Sequence, residues 1–168
     1  MSGEITLNGN KFSLSGVELK PGFKAPDFTL AANDLSDVSL KDFKGRIVIL
    51  SAVPSLDTPT CSLETARFNK EAGKLGDKVK VLTVSKDLPF AQARWCAAQG
   101  VKNLQTLSDY KNTSFAEDYG LLIQGLHLLT RAVFVIDGEG LIKYIQFVKE
   151  VSEEPNYNAV LDAVNELI

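Results

Sequence analysis

The chain has 168 residues, 45% hydrophobic and 23% charged, with 18 Lys and Arg against 21 Asp and Glu for a net charge of −3. That length suits one domain with a full core over 1–168 and would be a squeeze for two. The mildly acidic balance gives no electrostatic case for nucleic acid or an anionic membrane, and no apolar run approaches the roughly 20 residues of a membrane span.

Met1 to Thr6 has neither a basic n-region nor an apolar h-region, so no signal peptide is expected and the default location is cytoplasmic. Two cysteines in a reducing compartment do not suggest a structural staple. With one histidine they are too few for a dedicated zinc site unless carboxylates contribute. No Cys-x-x-Cys occurs. What remains is two inert thiols or a pair with chemistry.

In chain order, Ile5 to Leu14 alternates apolar and polar residues around Asn8-Gly9, the pattern of a tight β-hairpin. Lys20-Pro21-Gly22 breaks the chain. Ala25 to Leu30 is a short extended piece, Asn33 to Asp37 a turn and Val38-Ser39-Leu40 a brief strand. Lys41 to Gly45 is a loop or a single turn. Arg46–Val53 reads as a buried strand, and Pro59–Leu75 as a helix ended by Gly73 and Gly76. Val79–Ser85 is a second strand. A second helix spans Asp87 to Gln99, with Asp87 as a possible cap and Gly100 just past the end. Leu104–Leu107 is a third strand and Ser114–Tyr119 a short helix. Ala132–Ile136 and Leu141–Val148 flank Asp137-Gly138-Glu139-Gly140 as an antiparallel hairpin, and Pro155–Ile168 closes the chain with helical spacing. Strands alternating with helices predict an α/β domain: a mixed central sheet flanked by helices, with an N-terminal β-hairpin. The charge-rich stretches Lys70–Lys80 and Lys149–Glu154 read as solvated faces.

The junction Pro54-Ser55-Leu56-Asp57-Thr58-Pro59-Thr60-Cys61 lies where the 46–53 strand hands over to a helix. Thr58 suits the N-cap and Pro59 the first helical position, which puts Cys61 in the first turn. Unpaired N–H groups and the positive end of the helix dipole favour a thiolate there. Open α/β sheets gather their chemistry beyond the carboxyl ends of parallel strands, where this junction falls. Position alone leaves two readings of Cys61: a nucleophile, or a small apolar side chain packed at a helix start. Cys96, in Trp95-Cys96-Ala97-Ala98, reads on pattern as a buried helical residue, and Arg131 as a strand-end cation. His127, in Leu126-His127-Leu128-Leu129, sits in an apolar setting.

Pro-x-x-x-Thr-x-x-Cys, here Pro54 to Cys61, resembles the active-site signature of the peroxiredoxins. The full octapeptide followed by Arg67-Phe68-Asn69 is similar to the thiol peroxidase branch of that superfamily. Gly22 to Phe28, Asp34 to Leu40, Asp42 to Gly45, Arg94-Trp95-Cys96 and Arg131 to Val135 fit the same branch. The resemblance implies a thioredoxin-like fold and reduction of hydrogen peroxide and organic hydroperoxides. It implies that Cys61 is the peroxidatic thiolate, that Thr58 hydrogen-bonds thiolate and peroxide, and that Pro54 packs over the pocket. It makes Arg131 the cation beside the sulfur and Cys96 the resolving cysteine, which closes a Cys61–Cys96 disulfide within one chain. Each cysteine sits on its own predicted helix, so the reduced pair is expected to lie too far apart to bond, with both segments partly unwinding in each cycle. Thioredoxin as reductant and a homodimer are likewise implied. No metal, haem or flavin is expected, because sulfur supplies both electrons. Phe90, Leu121, Leu122 and Ile123 are candidates for uncovered interface or substrate contacts. Two rival classes are a Cys–His hydrolase using Cys61 and His127, and a non-enzymatic scaffold on the same fold.

Overall fold

A computed structural model describes residues 3–168. Met1, read as an initiator, and Ser2 lie outside the described residues. The chain forms eleven strands and four α-helices in the described part. Strands β1 (Glu4–Leu7) and β2 (Asn10–Ser15) make the expected hairpin, with Asn8 at φ 52° and Gly9 at φ 82°. Two successive left-handed residues are what a type I′ turn requires, and Asn-Gly supplies them at little cost.

Strands β3 (Thr29–Ala31) and β4 (Asp37–Ser39) follow, then a 3₁₀ turn over Leu40–Phe43. Next come β5 (Ile47–Ala52), α1 (Pro59–Leu75), β6 (Val79–Ser85), α2 (Pro89–Gln99) and β7 (Gln105–Ser108). The short α3 (Ser114–Asp118) leads to β8 (Leu122–Ile123) and β9 (Leu128–Leu129), then β10 (Ala132–Ile136), β11 (Ile142–Phe147) and α4 (Tyr157–Asn165). The main sheet runs β11-β10-β5-β6-β7-β3-β4, with β5, β6 and β7 parallel and the outer strands antiparallel. A second sheet, β1-β2-β8-β9, joins the hairpin to two strands of two residues each.

Alternation in the central strands separates two cores. Val48, Leu50, Leu82, Val84, Leu107 and Phe134 face one side and pack with Phe28, Phe115 and Tyr119. Ile47, Ile49, Val79, Val81, Val133 and Val135 face the other, against Phe68 of α1 and Val160 and Val164 of α4. Full burial of a side chain such as Phe68 contributes about 1.5–3 kcal/mol.

Three local expectations change. Helix α1 runs through Gly73 and stops at Gly76, which has φ 76°. A Cβ on Gly73 would sit 2.8 Å from Asn103 Nδ2, so this glycine makes room for a docked loop rather than ending the helix. Asp87 does not cap α2: the N-cap is Leu88, with no side-chain bond, because the Asp87 carboxylate is engaged elsewhere. Leu121, Leu122 and Ile123 are buried rather than uncovered, since pairing of β8 with β2 and β9 covers them.

Candidate active site

Helix α1 begins as its sequence dictates. Thr58 is extended at φ −102°, ψ 148°, and its Oγ1 accepts the Cys61 N–H at 3.3 Å, while Pro59 occupies the first turn. The Thr58 hydroxyl proton goes to the Ser55 carbonyl at 3.0 Å. The turn between β5 and α1 is thereby tied to itself just ahead of Cys61. Pro54 is buried in that turn. Cys61 is fully buried in a small cluster with Val53 and Leu56, against which Trp95 packs.

Strand pairing places Arg131. β10 runs antiparallel to β5 with Ala132 opposite Ala52 and Val133 opposite Ser51. Its first residues therefore lie at the carboxyl end of β5. Arg131, Val133 and Val135 share a parity, so Arg131 emerges on the face that α1 covers. Arg131 Nη2 donates to Cys61 Sγ at 3.2 Å. Nη1 pairs with Glu64, and Nε donates to the Val151 carbonyl at 2.8 Å. Arg131 is 2% exposed and Glu64 fully buried. Glu64 also accepts from Ser51 Oγ at 2.9 Å.

The charges at this cluster are set by competition between burial and contact. Burial opposes the Arg131 cation, but Glu64 and Cys61 outweigh it and raise the guanidinium pKa, so the cation is held at the sulfur. Burial pushes the Glu64 carboxyl up, opposed by Arg131 and Ser51. A fixed cation in a dry site favours negative charge on the adjacent atom far more than it would in water.

Cys96 lies on α2, partly buried, with Sγ 3.4 Å from Thr106 Oγ1 on β7. Both cysteines are free. The structure thus brings Cys61, Arg131 and Thr58 together under the Pro54 turn, and points Cys96 at the neighbouring strand. His127 is exposed, not apolar-packed, in the turn between β8 and β9 at φ 55°.

Two further residues of the site went unread in the sequence. Glu64 is a charge on the buried stripe Cys61, Glu64, Thr65, Phe68, and its presence there was the available signal. Asp87 Oδ1 accepts from Ser55 Oγ at 2.7 Å, and its Oδ2 accepts from the Leu56 N–H at 2.8 Å and from Ser85 Oγ at 2.7 Å. Nothing in the sequence marks it apart from a cap. No group of three His, Cys, Asp or Glu side chains among the described residues could hold a metal ion. A cavity of about 510 Å³, lined by Leu40, Phe43, Val48 and Ile136, contains none of the predicted site residues. No helix of the described residues is long and apolar enough to cross a membrane.

Known proteins resemble this chain along nearly all of its length. The profile of the Redoxin family matches residues 20–161. The chain is 48% identical to the thiol peroxidase of Bacillus subtilis over 165 residues, 98% of each chain. It is 50% identical to that of Streptococcus pneumoniae (strain ATCC BAA-255 / R6) over 163 residues, 97% of this chain and 99% of the relative. The crystal structure of a peroxiredoxin-like protein from Aquifex aeolicus superposes with a TM-score of 0.93 at 41% identity, covering 99% of both chains. A thiol peroxidase from Chromobacterium violaceum, 19% identical with 97% and 96% coverage, shares the fold at a TM-score of 0.87. The fold is thioredoxin-like, and the chain belongs to the Redoxin family, in the thiol peroxidase branch of the peroxiredoxins.

Proposed function

We propose that the chain is a peroxidase that reduces hydrogen peroxide and organic hydroperoxides with Cys61 as nucleophile. The observation that carries this reading is the buried contact of Arg131 Nη2 with Cys61 Sγ at 3.2 Å, at the start of α1. The Cys61 thiolate attacks the terminal peroxide oxygen, an S–O bond forms, the O–O bond breaks, and water or an alcohol leaves after protonation. Arg131 supports the charge that develops on the peroxide oxygens. The Thr58 hydroxyl turns from Ser55 to the entering substrate, and Pro54 shields the pocket. Because Cys61 is fully buried, the 54–58 turn opens to admit peroxide.

The Cys96 thiol then attacks the sulfenic sulfur, releases water and forms a disulfide with Cys61. Their separate helices and the Cys96 contact with Thr106 support partial unwinding of both segments at this step. A dithiol reductant, thioredoxin in our reading, returns the pair to thiols, so the cycle fits a reducing cytoplasm. A homodimer is part of the same reading, supported by Leu88 and Phe90 at the start of α2, 51% and 65% exposed. Residues 1–168 act as one domain, since Thr6 of the hairpin is bonded to Lys149 and Val151.

Peroxide-dependent turnover with a thioredoxin system tests this. Cys61→Ser is dead. Cys96→Ser completes one reduction and stalls as sulfenic acid. Normal cycling of Cys96→Ser with thioredoxin refutes the resolving role, and peroxide consumption by Cys61→Ser refutes the whole reading.

A further inference from the structure

Arg131 is clamped at both ends of its guanidinium. One clamp is Glu64. The other is the Val151 carbonyl, which accepts from Nε at 2.8 Å. Val151 is fully buried and belongs to no helix or strand. What fixes a carbonyl on an irregular segment is therefore a question about its neighbours.

Those neighbours lead away from the sheet, to the N-terminal hairpin. The Thr6 N–H donates to Lys149 O at 2.8 Å, and the Val151 N–H donates to Thr6 O at 2.8 Å. The Glu150 side chain reaches over the hairpin turn. Its Oε1 accepts from the Gly9 N–H at 2.8 Å and Thr6 Oγ1 at 3.2 Å. Its Oε2 accepts from the Asn8 N–H at 3.3 Å, the Ser152 N–H at 2.8 Å and Ser152 Oγ at 2.6 Å. Two residues on from Glu150, the Ser152 carbonyl accepts from Thr60 Oγ1 of α1 at 2.8 Å. The segment is thus tied to the hairpin, to the guanidinium and to the first turn of α1, next to Cys61.

We propose that residues 149–152 are a strap through which the N-terminal hairpin holds Arg131 against Cys61, with Glu150 as the positioning residue. This rests on the reading of Cys61 and Arg131 given above. The hairpin at residues 4–15 lies before the stretch that the Redoxin profile matches. It is nonetheless coupled to the site by a short chain of bonds: turn amides to Glu150, Glu150 to Ser152, Val151 to Arg131. The Ser152 hydroxyl and amide and the Gly9 amide hold the Glu150 carboxyl down at about 2, so the strap stays fastened throughout the neutral range. Glu150 touches no reacting atom. It acts by fixing where the guanidinium sits, and small displacements of a catalytic group are costly.

The test compares Glu150→Ala, Glu150→Gln and Thr60→Val with wild type and Arg131→Gln. Two readouts are used: Cys61 thiolate absorbance against pH, and the single-turnover rate of Cys61 oxidation by hydrogen peroxide. Glu150→Ala raises the midpoint of thiolate formation and slows oxidation about tenfold. Glu150→Gln, which keeps one acceptor oxygen, falls between it and wild type. Thr60→Val, which replaces the hydroxyl with a methyl group and so removes the bond to Ser152, shifts both readouts in the same direction and by less. If Glu150→Ala fails to fold, the other two decide. Loss of thermal stability with an unchanged thiolate profile reduces the strap to a structural role and overturns the proposal. If Arg131→Gln itself leaves the thiolate profile unchanged, the reading of Arg131 fails first. If Arg131→Gln shifts it and no strap variant does, only the strap fails.

Discussion

Trp95 Nε1 donates to Ser62 Oγ at 3.3 Å, so the chain neighbours of the two cysteines are bonded to each other while the cysteines are not. Trp95 packs on the cluster that buries Cys61, and Cys96 points at Thr106 on β7. A disulfide needs Cα atoms within about 7 Å and Cβ atoms turned toward each other. Closing it therefore displaces Trp95 and releases Cys96 from Thr106. Trp95 is the chain's single tryptophan, so its emission reports the step without a label. One equivalent of hydrogen peroxide should shift the emission of wild type toward that of a solvated indole, reversibly with a dithiol. Cys96→Ser should lack this shift. An emission spectrum that stays constant while mass analysis shows complete disulfide formation rules out the rearrangement.

The buried Arg131–Glu64 pair predicts a pH-dependent stability defect. Removing one partner of such a pair costs about 3–5 kcal/mol, because the other charge is left buried and alone. The Glu64 carboxyl is already raised by burial, with Arg131 working against that rise. A raised carboxyl contributes stability below its unfolded pKa and loses it as pH rises through the folded value. Arg131→Met removes the opposing charge, so this loss grows. The variant should be most destabilised at the alkaline end of the range and recover toward wild type on acidification, as Glu64 takes up a proton. Thermal unfolding across that range measures it. A gap in melting temperature that does not narrow on acidification contradicts the assignment.

His127→Ala separates the peroxidase from a Cys–His hydrolase. The ring is exposed in a turn and makes no hydrogen bond among the described residues to Cys61. Its φ of 55° puts a small stability cost on alanine, but the ring contacts neither Cys61 nor Arg131, so turnover of the folded variant should stay within about twofold of wild type. Loss of turnover in this variant would revive the rival mechanism.

Legibility in the sequence followed the range of the interactions involved. Helix α1 was readable from Thr58 to Leu75 because its caps are local chemistry. Strand β10 was readable from its apolar run, and its antiparallel pairing from the Asp137–Gly140 turn. The contact of Arg131 with Cys61 spans 70 positions and came only with the family resemblance. β8 and β9 have two residues each, too few to show a period, so Leu121 to Ile123 looked uncovered. Lys149–Glu154 looked like a solvated face, yet Glu150 collects donors from a hairpin 141 positions earlier. Asp87 reads as a cap because Asp is among the favoured N-cap residues and stands near the start of a helix-forming stretch. Its carboxylate instead joins its near neighbour Ser85 to Ser55 and Leu56, which are more than 30 residues away in the chain.

Asp87 also yields the most local prediction about the turn that leads into Cys61. Its carboxylate receives Ser55 Oγ and the Leu56 N–H; the Ser55 carbonyl receives the Thr58 hydroxyl; Thr58 Oγ1 receives the Cys61 N–H. The Cys61 amide is thus the end of a chain of bonds that starts on the β6–α2 connection. Asp87→Ala strands the Leu56 N–H, and Leu56 is only 4% exposed. An unsatisfied buried donor costs about 1–3 kcal/mol, so the variant should be destabilised by that order. A general loss of stability would raise hydrogen exchange everywhere. A turn specifically unfastened would raise it first at the amides of Leu56, Thr58 and Cys61, ahead of those in β6 and β7. Asp87→Asn keeps one acceptor oxygen and should show the same order with smaller changes. Uniform acceleration across the sheet and the turn would mean that Asp87 supports the fold as a whole and does not hold the 54–58 turn in particular.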